Sequence, residues 1–242
     1  MHKEHHSWHT DRLGRWMDLM AYGHYGLPFL VFPTSGGDHR EHEGQSMIGA
    51  LAEFIERGRI KIFTVESVND QSFLNRDAHP LHRAWMQKQY DDYIRHEVIP
   101  FIHQHCRSPV PIATMGASIG AYHAANTLFK HPDVVKRCFA LSGVYDMRRN
   151  MDGYYNDHFY FNNPPDYLAN LSDPWFYGQL STCDIHIVTG HGPWEVPSHS
   201  YELSALLSRK QIPHHLDDWG DLGGHDWPYW KHQMREYVGR LS

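Results

Sequence analysis

Residues Gly116-Ala117-Ser118-Ile119-Gly120 set a serine between two glycines, each two positions away. A serine framed in this way can stand on a sharp strand-to-helix turn with its hydroxyl exposed, which is where an acyl-transfer nucleophile is needed. The string alone is weak, because a glycine-rich loop carries it by chance. Its setting strengthens it: Val110 to Met115 reads as a short buried strand and Tyr122 to Phe129 as a helix.

A serine hydroxyl needs a base to take its proton and an acid to orient that base. The chain has 22 histidines, so position must select among them. His225 lies in Gly223-Gly224-His225-Asp226-Trp227, between the run His214 to Trp219, a candidate last strand, and a terminal helix. A histidine on that loop shares a sheet edge with the serine turn. The acid should follow the strand Ile185 to Thr189. Glu195 fits, after the irregular turn Gly190 to Trp194, although a carboxylate near Ser198 also suits the start of a helix. Asp217, Asp218 and Asp221 are substitutes, and Asp226 is less suited because a neighbour in a tight loop rarely points at the adjacent ring.

A tetrahedral oxyanion needs donors beside the nucleophile. The amide of Ile119 is one candidate; the other falls in Ser35-Gly36-Gly37, with Gly37 preferred and Gly36 next. Asp38, Tyr145 and Trp227 are the candidate substrate contacts on the surrounding loops.

The elements that would hold these residues alternate. Arg15 to Ala21 and Pro28 to Pro33 read as an outer strand pair joined at Gly23-His24-Tyr25-Gly26. Helical spacing follows over Met47 to Ile55, then a strand over Ile60 to Val65 and a helix over about Ala84 to His103. Cys138 to Ser142 and Ile185 to Thr189 are further strands, and a last helix covers Trp230 to Val238. Strands alternating with helices predict a mostly parallel, doubly wound α/β sheet with helices on both faces. With 242 residues, one domain is the default. The stretch 147–180, rich in Tyr and Phe, breaks the pattern and is expected to form a small aromatic cap over the site; a satellite core covering the sheet edge is the alternative.

Together, the serine turn, the strand end Phe32-Pro33-Thr34-Ser35-Gly36-Gly37 and the segment Gly224-His225-Asp226-Trp227-Pro228-Tyr229-Trp230 resemble the esterase D-type esterases of the α/β-hydrolase superfamily, over nearly the whole chain. That resemblance implies the α/β-hydrolase fold and acyl transfer, with the nucleophile on Ser118, the base on His225, the acid on Glu195 and the oxyanion amides on Gly37 and Ile119. The family includes carboxylesterases, S-formylglutathione hydrolases, feruloyl esterases and mycolyl transferases. Its acid is usually aspartate, and glutamate here is one methylene longer.

Other classes fit less well. His39, His42 and Glu43, and the group His5, His6 and His9, do not match H-E-x-x-H, so neither metal nor cofactor is expected. No G-x-G-x-x-G follows the first strand. The net charge of -6 and the absence of a basic stripe argue against nucleic acid. The N-terminal residues form neither a signal peptide nor a membrane span, and three scattered cysteines suggest no disulfide framework, so a cytoplasmic location is expected. The expected partner is a small-molecule ester; homo-oligomerisation stays open. An acyltransferase with the same residues, or a binding module on the same fold, are the competing functions.

Overall fold

The computed structural model describes residues 1–241. Eight strands form one sheet: β1 (Lys3–Thr10), β2 (Arg15–Tyr22), β3 (Leu27–Phe32), β4 (Ile60–Val65), β5 (Ile112–Ala117), β6 (Val135–Leu141), β7 (Asp184–Thr189) and β8 (His215–Asp218), in the order β1-β2-β4-β3-β5-β6-β7-β8. The pairs β1–β2 and β2–β4 are antiparallel, and the others are parallel. The mostly parallel, doubly wound sheet expected from the sequence is therefore present.

Helices cover both faces because the central strands are apolar on both. In β3, Leu30 and Phe32 join a core with Tyr90, Val98, Ala125 and Leu207, whereas Phe29 and Val31 join the opposite core with Met47, Phe54, Trp230 and Val238. Successive side chains of a strand point to opposite faces, so one short run feeds two cores.

The N-terminal third differs from the sequence reading in two ways. First, β2 and β3 are not a hydrogen-bonded pair, because β4 lies between them. The turn at Gly23 to Gly26 instead carries the chain over that strand. Gly26 has φ +113°, and a Cβ there would lie 2.4 Å from the Arg59 backbone, so glycine is required for the close pass. Second, Lys3–Thr10 is a full edge strand. Its inner positions are Glu4, His6, Trp8 and Thr10, so its alternation is not an apolar one and escapes a hydropathy-based reading.

The long helix predicted over 84–103 runs as Pro80–Tyr93, a wider turn at Ile94–Val98, and Ile99–Cys106. Pro100 has no N–H to donate back along the helix, and the wider turn accommodates that missing bond. No helix among the described residues is long and apolar enough to cross a membrane.

Candidate active site

Ser118 links β5 to the helix Ile119–Lys130, here called the elbow helix, at φ 57° and ψ −122°. A non-glycine residue at positive φ is strained and persists only where its surroundings impose it. Here both glycines impose it. A Cβ at Gly116 would lie 2.1 Å from the Gly120 carbonyl oxygen, and one at Gly120 would lie 2.6 Å from that of Phe32 and 2.7 Å from that of Pro33. The helix can leave the strand at this angle only because neither position has a side chain. As the first residue of the elbow helix, Ile119 has an N–H with no intrahelical acceptor.

The edge holding Ser118 is fixed by backbone bonds between strand ends. Ser118 N–H donates to Leu141 O at 3.0 Å, Ser142 N–H to Val188 O at 2.8 Å, and Trp219 N–H to Thr189 O at 2.9 Å. The loops that follow β7 and β8 are joined in the same way. His191 and Gly192 donate to Gly220 O and Gly223 O, each at 2.7 Å, and His225 donates to Pro193 O at 2.9 Å. Gly190 packs so tightly on Gly223 that a Cβ there would lie 2.2 Å from the Gly223 carbonyl oxygen.

This joining brings the candidate acid and base together. Glu195 Oε2 lies 4.0 Å from His225 Nδ1; the glutamate side chain is 2% exposed and the histidine side chain 31%. Glu195 Oε1 accepts a hydrogen bond from Thr189 Oγ1 at 3.1 Å, while the buried Oε2 has no partner. At 4.0 Å the pair is looser than a hydrogen bond, as such pairs often are before substrate arrives. Burial lowers the His225 pKa below its usual 6.5, against the opposing effects of Glu195 and Asp226, so the ring is neutral at pH 7 and available as a base.

Of the substitute acids, Asp221 is exposed on the short turn Gly220–Leu222, and the others are occupied elsewhere. Asp217 bonds His186 and Tyr237, Asp218 accepts from Tyr201 and contacts His191, and Asp226 caps the last helix through Trp227 N–H. Trp230, which sequence reasoning did not assign to the site, stands edge-on to His225 with centroids 5.2 Å apart and is anchored by its Nε1–H to Ser142 Oγ at 2.9 Å. Its place in the segment following His225 was the only signal for it.

The remaining candidates separate. Gly37 N–H donates to Thr34 O at 3.2 Å, so in this conformation the preferred second oxyanion amide is already engaged; Ser35 and Gly36 precede it on the same turn. Asp38 lies on a cleft of about 530 Å³ with Ser35, Gly36, Glu66 and Asp70. Trp227 is half-buried between His42 and Trp230. Tyr145 is 1% exposed and packs in the core below Gly143, so it is a structural residue and not an open substrate contact.

Part of the aromatic insert lies beside the elbow and part does not. Met147, Met151 and Phe159 form a small core with Ile119 and Tyr122. By contrast, Tyr160, Phe161 and Phe176 line a hollow with Phe129 and Lys130, at the far end of the elbow helix. Eleven residues of helix place Phe129 about 16 Å from Ser118. Those three rings do not cover Ser118.

Residues 54–241 match the protein family described as "Putative esterase". The chain belongs to this family. The match does not single out an esterase D branch. No curated protein sequence matches. Among solved structures the chain is similar to a ferulic acid esterase (14% identity, 99% of this chain and 98% of that one, TM-score 0.74). It is also similar to FphF, a fluorophosphonate-binding serine hydrolase of Staphylococcus aureus (18%, 98% and 97%, TM-score 0.70). A third is an S-formylglutathione hydrolase from Agrobacterium tumefaciens (14%, 99% and 95%, TM-score 0.71). These likenesses establish the α/β-hydrolase fold.

Proposed function

We propose that this esterase-family chain is a serine hydrolase that cleaves carboxylic esters of small-to-medium acyl groups through an acyl-enzyme on Ser118. The whole chain acts as one α/β-hydrolase domain in which 147–180 is an insertion. The observation that carries the reading is the buried Glu195 Oε2, unpartnered and 4.0 Å from His225 Nδ1, on the sheet edge where the strained Ser118 stands. A buried carboxylate oxygen without a partner is destabilising by roughly 1–3 kcal/mol or more. The neutral His225 tautomer able to accept a serine proton at Nε2 carries its hydrogen on Nδ1, which faces that oxygen, and the imidazolium formed during acyl transfer strengthens the same contact.

In the proposed sequence, neutral His225 takes the Ser118 proton as Oγ attacks the ester carbonyl. Negative charge then develops on the carbonyl oxygen, where Ile119 N–H and an amide of Ser35 or Gly36 receive it. Glu195 stabilises the imidazolium, which returns its proton to the departing alcohol. Water, activated by the same ring, releases the acid and restores Ser118. The names of the similar structures, a ferulic acid esterase and S-formylglutathione hydrolases, support ester or thioester substrates. The cleft at Asp38 is lined by Glu66 and Asp70 as well as Arg15, which disfavours a long apolar chain on that side.

A p-nitrophenyl ester series tests this. Acetyl and butyryl esters should turn over, with a pre-steady-state burst when deacylation is slower, and His225→Ala should reduce kcat by at least about 10⁴-fold. Turnover confined to long acyl chains, or an unaffected His225→Ala, would refute the reading.

A further inference from the structure

The inner face of β1 presents Glu4 and His6, and the last turn of the helix Ile99–Cys106 sets His105 against them. Glu4 Oε2 lies 3.2 Å from His6 Nε2 and 3.2 Å from His105 Nε2, and the donor atoms of all three residues lie within 4.8 Å of one another. His2 lies two residues before Glu4, and its Nε2 contacts the other Glu4 oxygen. The contact from His105 is a hydrogen bond. That from His6 is not: its Nε2 is buried and makes no hydrogen bond despite the short separation. Leaving a buried ring nitrogen unsatisfied beside a carboxylate is unfavourable unless another group takes its lone pair.

We propose that Glu4, His6 and His105, with water as the fourth donor, form a site for a divalent cation of the zinc type. Zinc bonds to histidine nitrogen and carboxylate oxygen are about 2.0–2.2 Å, so tetrahedral donors sit about 3.3 Å apart, close to both separations here. The His6 and His105 rings lie at 89° with centroids 5.4 Å apart. Phe101 packs edge-on to His6 at 4.8 Å and Phe63 to His105 at 5.3 Å, which holds both rings in place. Nitrogen and carboxylate donors suit zinc better than calcium or magnesium. This departs from the sequence expectation of no metal, because the ligands come from two elements nearly a hundred residues apart and match no local motif.

Two other clusters lack this character. His5 Nε2 is bonded to Asp18 at 2.8 Å and His39 Nδ1 to Glu66 at 3.0 Å. His186 contacts carboxylates through both nitrogens, Asp184 at 3.0 Å and Asp217 at 2.6 Å, so it must carry two protons and has no lone pair to offer. The proposed site is also remote from the chemistry, since β1 stands four strands from β5, roughly 19 Å across the sheet. A cation there would tie an edge strand, paired only with β2, to the helix beneath it.

The full chain, stripped with EDTA, is titrated with ZnCl2 by calorimetry. The wild type should bind one equivalent tightly and melt at a higher temperature as zinc rises. His105→Gln should weaken that equivalent on the order of 100-fold or more and leave ester turnover unchanged. CoCl2 should give the intense visible absorption of a four-coordinate ion in the wild type and not in the variant. Absence of a saturable equivalent in the wild type, or undiminished binding by a folded His105→Gln, overturns the proposal. Should that variant not fold, histidine NMR of the wild type decides: zinc must perturb His6 and His105 first, and first perturbation of any other histidine overturns it.

Discussion

At the scale of single residues, the proposed mechanism depends on His225 being neutral before reaction and charged during it. Burial holds its pKa below 6.5 and Glu195 opposes that shift, so the carboxylate is what makes the charged form attainable. The acid limb of kcat/KM should therefore have its midpoint below pH 6.5. Glu195→Gln removes the anion and should move that midpoint lower still while kcat falls by roughly 10⁴-fold. A pH–rate profile of the two proteins checks this; a midpoint that stays put or rises would separate Glu195 from His225. Ser118 and His225 stand out in the sequence as candidates because each sits among glycines whose absence of side chains the fold requires. The engagement of the Gly37 amide is not legible there, because its hydrogen bond to Thr34 depends on how the loop turns and not on which residues are small.

At the scale of elements, the candidate acid and base are placed by contact between two loops more than by the strands below them. Gly190 against Gly223, with the bonds from Gly192 and His225, sets the distance from Glu195 to His225. Gly190→Ala puts a methyl group 2.2 Å from the Gly223 carbonyl oxygen and must push the loops apart. A displacement near 1 Å should lower kcat about 100-fold, with a stability loss of about 1–3 kcal/mol, read from kinetics and urea denaturation. Unchanged kcat in a folded Gly190→Ala would show that this packing does not position the pair. The strands carrying Ser118 and Glu195 were readable as apolar runs, whereas β1 was hidden because its buried face is built from Glu4, His6 and Thr10. The β2–β4 neighbourhood was hidden for a different reason: adjacency in the chain suggested a hairpin, and the parallel β3–β4 crossover displaced it.

At the scale of the molecule, buried histidines set how stability varies with pH. His42 and His123 are buried, and desolvation lowers each pKa to about 3, with Asp91 opposing at His123. Between pH 3 and 6.5 the unfolded chain binds protons at these sites that the native state does not, so their contribution to stability rises with pH. For His186, burial opposes protonation, but the bonds to Asp184 and Asp217 raise its pKa to about 9. Its contribution is full below pH 6.5 and is lost as pH rises through 9. Stability should peak near pH 6.5, and His186→Asn should flatten the alkaline decline, as measured by denaturant midpoints from pH 4 to 9.5. An alkaline decline unchanged in the variant would assign that limb elsewhere.

The central claim is that Ser118 is the nucleophile, and covalent trapping tests it most directly. Native protein treated with a fluorophosphonate should gain one adduct by intact mass, map to the peptide containing Ser118 and lose esterase turnover in step. Ser118→Ala should gain none. An adduct on another residue with Ser118 unmodified, or a Ser118→Ala variant that labels and turns over as the wild type does, would contradict the account.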